Sequence, residues 1–319
     1  MIRLEPVQSF AVEEYLLSRL AFSPDGSEIA MGHKHFRTYD AETGEPRREF
    51  AFPEFLAQLR YSPDGRFVAA ANVGDNHPAT RGRLELFDAA TGQALWHAAA
   101  AQPVETCAFS AQRPELHWNG SGAVAGAVCD PHAPLAALPL PQLHIRGLAA
   151  TRSGFVCFGR EAEGAVQQVE GADLIFRKFR LLSLDTGGKV SKDIDLGIGA
   201  GVHALSPDGR LLAVEMVDFK NNERHVSLVD VETGVEANLL PLEANTLPVL
   251  AFGAGSEYFL CMKEDAEANF NLVRIWRTSD LRLVGEAQVA LSFHSMAACL
   301  EHSLLAFLGG GKLEIVALS

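Results

Sequence analysis

The chain has 319 residues, of which 48% are hydrophobic and 21% charged, the composition of an ordinary globular protein and not of a disordered or collagen-like one. Its 27 basic and 40 acidic residues leave a net charge of −13, and no cluster of Lys or Arg is interleaved with aromatics, so nucleic acid is not an expected partner. An acidic surface also repels anionic lipid and steers basic partners toward itself.

Met1-Ile2-Arg3-Leu4-Glu5-Pro6 lacks the basic start and apolar run of a signal peptide, and no later stretch is long enough to span a bilayer. The expectation is a cytoplasmic protein with no membrane contact. The five cysteines, Cys107, Cys129, Cys157, Cys261 and Cys299, are odd in number and widely spaced, and four of them sit in apolar runs. They read as buried, reduced thiols, with neither disulfide nor metal.

In chain order, Leu20-Ala21-Phe22 runs into Ser23-Pro24-Asp25-Gly26, and the same apolar-plus-turn unit returns as Leu59-Arg60-Tyr61 before Ser62-Pro63-Asp64-Gly65 and as His203-Ala204-Leu205 before Ser206-Pro207-Asp208-Gly209. Pro presets φ at the second turn position, Asp suits the third, and Gly supplies the left-handed conformation that closes a hairpin. A second turn follows as Asp40-Ala41-Glu42-Thr43-Gly44, Asp88-Ala89-Ala90-Thr91-Gly92 and Asp230-Val231-Glu232-Thr233-Gly234, with a degenerate copy at Asp185-Thr186-Gly187-Gly188. Two hairpin turns per unit give four strands, labelled a to d from the inside outward. Strand a begins near Leu20, Leu59, Thr106, Gly147, Val202, Val249 and Ser295, which counts seven units spaced by 39 to 55 residues.

The third unit is the least regular. Ala111-Gln112-Arg113-Pro114 replaces its first turn, and Pro131, Pro134, Pro139 and Pro141 crowd its second half; strands b and c are expected at Ala123 to Cys129 and Leu135 to Leu140. Near the start of the chain, the segment Val7 to Leu16 aligns without gaps on Arg47 to Leu56, which holds strand d of the first unit. The last unit, Ser295 to Leu318, has room for only three strands, so the N-terminal strand is expected to complete it.

These turns, together with strand-c endings such as Tyr39-Asp40, Phe87-Asp88, Leu184-Asp185 and Val229-Asp230, give a chain that resembles a WD-repeat or closely related bacterial propeller over nearly its whole length. The Gly-His pair that opens typical WD repeats is missing in most units. The resemblance implies an all-β, seven-bladed β-propeller of four-stranded antiparallel blades, residues 1–319 forming a single domain whose ring is closed by the N-terminal strand.

In such a fold the loops after strands a and c share one face and those after b and d the other. The first set is kept tight by the repeated turns, whereas the loops after strand b grow: Asn72 to Arg83, Arg160 to Leu174, Val217 to His225 and Lys263 to Asn271. Length variation on one face of a repeat protein marks a binding surface. The partner-contacting residues are therefore expected among Asp75, Asn76, His77 and Arg81; Glu161 and Glu163; Asp218, Lys220 and Asn221; and Glu264, Asp265 and Glu267. Arg60 stands where Ala21, Ala108, Ala149, Ala204, Ala251 and Ala297 stand in the other units, and is expected at the central channel. His203 takes an apolar position and reads as a hydrogen-bonded core histidine.

No metal site, cofactor or catalytic group is expected. His33-Lys34-His35 falls at a turn with no third ligand in view, and Gly309-Gly310-Gly311-Lys312 lacks the first Gly of a P-loop and leads into a strand. The expected function is a non-catalytic scaffold or adaptor for a protein or peptide partner, basic if charge decides, with the chain a monomer or a member of a hetero-complex. Two alternatives stand beside it: a hydrolase or lactonase of propeller fold with a metal and carboxylates at the channel, and an acidic inhibitor or immunity-type protein that blocks a basic effector.

Overall fold

The computed structural model describes residues 4–12, 19–33, 35–53, 55–72, 82–100, 104–110, 112–120, 123–140, 143–169, 172–198, 201–218, 221, 223–242, 248–253, 256–265, 270–290, 292–299 and 302–318. Among them there is no α-helix, and hence no helix long and apolar enough to cross a membrane. The chain falls into two compact units, Met1–Val104 with Thr246–Ser319, and Glu105–Asn245.

The first unit holds four sheets of four antiparallel strands. The chain enters on β1 (Leu4–Ala11) and then builds the first sheet from β2 (Arg19–Phe22), β3 (Glu28–Gly32), β4 (Phe36–Asp40) and β5 (Pro46–Phe50). The second sheet is β6 (Leu56–Tyr61), β7 (Phe67–Asn72), β8 (Gly82–Asp88) and β9 (Ala94–Ala100).

In the second unit the third sheet comprises β10 (Cys107–Phe109), β11 (Glu115–Gly120), β12 (Ala123–Val128), β13 (Ala133–Pro134) and β14 (Leu138–Pro139). The fourth is β15 (Leu143–Thr151), β16 (Gly154–Glu161), β19 (Phe179–Asp185) and β20 (Val190–Gly197), with β17 (Ala165–Val169) and β18 (Ala172–Phe176) forming, among the described residues, a separate two-stranded sheet between β16 and β19 in the chain. The fifth is β21 (His203–Leu205), β22 (Leu211–Asp218), β23 (Glu223–Asp230) and β24 (Glu236–Leu242).

The chain returns to the first unit for β25 (Val249–Phe252), β26 (Tyr258–Asp265), β27 (Phe270–Arg277) and β28 (Arg282–Ala290), the sixth sheet, and for β29 (Phe293–Cys299), β30 (Leu304–Gly309) and β31 (Lys312–Leu318). The seventh sheet has the order β1-β31-β30-β29, so the N-terminal strand supplies its fourth member, with Leu4 opposite Leu318 and Ala11 opposite Lys312.

The repeated turns account for these hairpins. In each Ser-Pro-Asp-Gly turn the Ser amide bonds across the hairpin mouth and the Ser hydroxyl meets the Asp carboxylate, at 2.6 Å for Ser23 with Asp25 and for Ser62 with Asp64. Gly26, Gly65 and Gly209 all have φ near +70°. In the second turn Asp40 accepts the Thr43 amide at 2.7 Å, as Asp88 accepts the Thr91 amide and Asp230 the Thr233 amide. That amide, with Arg47 beside it, holds the Asp40 carboxyl at about 2, well below the usual carboxylate range.

Apolar layers between successive sheets bind each unit. Between the first two sheets Phe36 stacks on Phe50 with ring centroids 4.4 Å apart, and Phe87 meets both edge-on; all three are essentially fully buried. Burying such a side chain stabilises by roughly 1.5–3 kcal/mol. Equivalent layers join the sixth sheet to the seventh around Phe293 and Phe307, the seventh to the first around Ile29 and Leu313, and within the second unit the third to the fourth and the fourth to the fifth.

The third sheet corrects the sequence reading. Strand b is Glu115–Gly120 and Ala123–Val128 is strand c, while the Leu135 to Leu140 region forms the broken outer edge as β13 and β14. The sequence reading shifted because Glu115-Leu116-His117-Trp118-Asn119 carries three polar side chains and does not look like an apolar inner strand, yet His117 and Asn119 are both buried there. Pro134 and Pro139 cannot donate to a ladder, and the outer strand is interrupted accordingly.

Candidate functional site

Strands b and c of every sheet meet at the end opposite the two repeated turns, and polar side chains buried at the base of that end fix its connections. Asn72 Oδ1 accepts the Arg83 amide at 2.6 Å, Asn119 Oδ1 accepts the Thr106 amide at 2.9 Å, and Asn271 Nδ2 donates to the Phe293 carbonyl at 2.8 Å. In the fifth sheet Glu215 Oε1 accepts from Arg224 Nε at 2.8 Å while its Oε2 receives the Val202 amide at 3.2 Å. Asn72 ends the otherwise apolar strand Phe67-Val68-Ala69-Ala70-Ala71-Asn72, and Glu215 interrupts β22 after the apolar run Leu211-Leu212-Ala213-Val214; these breaks in hydrophobicity are a signal that sequence reading passed over.

The fourth sheet carries the most elaborate construction at this end. The expected loop Arg160 to Leu174 is in large part the hairpin β17–β18, running Ala165 opposite Phe176 through Val169 opposite Ala172. Its base is a charge network: Arg180 Nη1 donates to Glu161 at 2.8 Å, and the rest of its guanidinium clasps Asp193, with Nε on Oδ1 at 2.9 Å. Lys178 Nζ adds a bond to Asp195 at 2.5 Å, which depresses the Asp195 carboxyl. Glu161 thus serves the base of the hairpin, and Glu163 is exposed.

Of the other residues expected at this end, Asp218 accepts from Asn221 Nδ2 at 2.9 Å. Glu264 and Asp265 lie in β26 with their backbones paired to Asn271 and Phe270. Asp75, Asn76, His77, Arg81, Lys220 and Glu267 lie outside the described residues. His33 sets its ring edge-on to Phe55, centroids 4.6 Å apart, and Phe55 is 39% exposed.

Arg60 pairs with Ala69 in β6, and the registers of the other sheets put Ala21, Ala108, Ala149, Ala204, Ala251 and Ala297 in the same slot. Its side chain is exposed. His203 Nε2 lies 3.1 Å from the Arg146 carbonyl, its ring rests against Phe158, and burial pulls its pKa down to about 4.

A second polar locus, not anticipated, lies at the turn-bearing end of the first two sheets. A cleft of 530 Å³ is lined by Asp25, Glu28, Arg48, Tyr61 and Asp64 among others. Glu28 follows Ser-Pro-Asp-Gly at the offset where Phe67 and Leu211 follow it elsewhere, and its carboxylate accepts from Arg47 Nη1 at 2.7 Å and from Arg48. Tyr61 takes a slot given to Phe22, Phe109 and Phe252 in other sheets; burial, with the Glu28 carboxylate beside it, pushes the phenol up, and among the described residues the Arg48 Nε has no hydrogen-bond partner.

Among the described residues no three His, Cys, Asp or Glu side chains gather as a metal-binding group. All five cysteines are buried thiols outside any disulfide; burial pushes the Cys261 thiol to about 12.

No family model matches the chain, and no curated protein matches it. Solved structures do. The chain is similar to the β-propeller domain of Cps50 (Swd1) from Myceliophteria thermophila, at 14% identity and a TM-score of 0.70 over 99% of this chain and 100% of that one. It is also similar to hydrazine synthase from Kuenenia stuttgartiensis, at 14% identity and a TM-score of 0.69 over 94% of each chain. The fold is therefore an all-β, seven-bladed β-propeller of four-stranded antiparallel blades. Identity this low speaks to fold and not to function.

Proposed function

We propose that the chain is a WD-repeat-like, non-catalytic scaffold that binds a protein partner through the end of its blades where strands b and c connect. The observation that carries this reading is the hairpin β17–β18. The fourth blade is complete without it, since β16 pairs directly with β19, yet the chain spends these strands on a separate two-stranded sheet at that end. A short hairpin alone is marginal in water, and here its base is anchored by Glu161, Arg180 and Asp193. A firmly based extension that the core does not need suits recognition. The net charge of −13 favours a basic partner.

The test replaces residues 165–176 with a Gly-Gly linker and compares co-purification from the native host with that of the intact chain, at low and high salt. The reading requires a partner that accompanies the intact chain, is lost with the hairpin, and weakens as salt rises. A partner retained in full by the shortened, folded chain would contradict it.

A further inference from the structure

Arg160 and Arg177 stand apart from the other half-buried arginines. Arg19, Arg48, Arg83, Arg180, Arg224 and Arg274 each donate to a carboxylate or a backbone carbonyl. Among the described residues neither Arg160 nor Arg177 meets an acceptor, and the Arg177 Nε is buried in that state. A buried donor without an acceptor bears its full desolvation cost. With 40 acidic residues against 27 basic ones, the chain has carboxylates to spare, yet none is placed on these two.

The fourth blade sets them side by side. Arg160 lies opposite Phe179 and His144 opposite Arg160, so three strands bring these residues onto one face, where Phe158 and Phe179 pack against Leu212 and Val214 of the fifth blade. The ladder runs on past Phe179, since the Glu161 amide reaches the Lys178 carbonyl at 2.8 Å. Lys178 and Arg180 turn to Asp195 and Asp193 on the other face, which leaves Arg177 on the face of Phe179. Arg160 and Arg177 are therefore diagonal neighbours, about 7–8 Å apart at the backbone, within reach of two long side chains that close on one ion. On the facing strand Asp218 follows Met216, and its carboxylate takes the Asn221 amide at 2.9 Å.

We propose that Arg160, Arg177 and His144 form an oxyanion site whose ligand is a phosphoryl group. Two neighbouring guanidinium groups repel each other until an anion lies between them. Each presents a planar fork of parallel N–H donors that matches the oxygens of a carboxylate or a phosphate. A carboxylate has two oxygens and fills one fork. A phosphoryl group has three, so it faces both arginines at once and still offers an oxygen toward His144. The site lies at the end of the blades that carries β17–β18, but it does not rest on that hairpin having a partner.

The test is titration calorimetry of the full-length chain with inorganic phosphate, O-phosphoserine and acetate at constant ionic strength. Saturable binding of inorganic phosphate is expected, with acetate at least tenfold weaker. Arg160→Gln and Arg177→Gln should each weaken phosphate binding at least tenfold, because each removes a charge-assisted fork. Lys312→Gln, at an exposed cation of the other compact unit, should leave it unchanged. An unaltered melting temperature confirms that the variants fold. Tighter binding of O-phosphoserine than of inorganic phosphate marks a phosphorylated side chain as the source, and the reverse order a free ion; the site stands in both cases. No saturable phosphate binding would overturn the proposal, as would acetate bound equally well or phosphate binding that survives both substitutions. Because the chain is titrated alone, those results leave the binding role of β17–β18 untouched.

Discussion

Arg47 Nη1 donates to Glu28 Oε1 at 2.7 Å, so that the outer strand of the first blade reaches over β4 to a carboxylate seated where Phe67 sits in the second blade. Arg48 donates to the same oxygen, and Asp40 accepts the other arm of Arg47. An apolar position has thus become the hub of an ion cluster beside the cleft that Tyr61 lines. Breaking a fully buried ion pair costs about 3–5 kcal/mol, but here the two guanidinium side chains are 39% and 27% exposed and can regain water. Glu28→Ala should therefore cost about 1–2 kcal/mol in urea unfolding. A neutral result would mean that the cluster adds nothing to stability.

The repeated turns are not equivalent in how tightly they are enclosed. Gly209 and Gly65 share φ near +70°, yet a Cβ on Gly209 would lie 2.5 Å from Thr151 Cγ2, whereas on Gly65 it would find Pro24 Cδ at 3.6 Å. Left-handed backbone costs an alanine about 1–2 kcal/mol at either site, and overpacking adds about 1–3 kcal/mol at Gly209. Denaturant midpoints should fall distinctly further for Gly209→Ala than for Gly65→Ala.

His203 makes stability depend on pH. Its pKa is about 4 in the folded chain, against an ordinary value near 6.5, so between these limits the unfolded state binds more protons. Stability should be fully present above pH ~6.5 and decline toward pH ~4, by up to about 3 kcal/mol from this group. His203→Leu, which restores the residue type of Leu20, Leu59, Leu148 and Leu250, should flatten that part of the profile. A slope retained in the variant would assign the effect to other groups.

Removal of residues 1–11 deletes β1 and strips the fourth strand from the last blade, leaving β31 with an open edge. A sharp fall in melting temperature is expected, together with self-association through the bared strand. An unchanged melting temperature would mean that the pairing of Leu4 to Ala11 with β31 is dispensable.

How far the sequence could be read depended on where the fold repeats itself. Ser23-Pro24-Asp25-Gly26 and its copies state a backbone conformation directly, because only certain residues adopt it, and the blade count followed from them, while the role of the N-terminal strand followed from the alignment of Val7 to Leu16 on Arg47 to Leu56. The third blade lacks those turns, and its inner strand buries His117 and Asn119, so periodicity misplaced it by one strand. The hairpin β17–β18 was read only as a long loop, since Gln167, Gln168 and Asp173 interrupt its apolar residues. Glu28 was visible in principle, as a charge at the offset of Phe67 and Leu211. Its importance depends on Arg47 and Arg48, which pairing across β4 brings to it.

Which end of the blades meets the partner can be measured by placing a photo-crosslinking amino acid singly at Glu163 or Asn221, where strands b and c connect, and at Glu42 or Glu232 in the opposite turns; all four side chains are exposed. Irradiation in the native host should yield partner adducts from Glu163 and Asn221 and none from Glu42 or Glu232. Adducts confined to Glu42 and Glu232, or none from any of the four, would contradict the proposed binding surface.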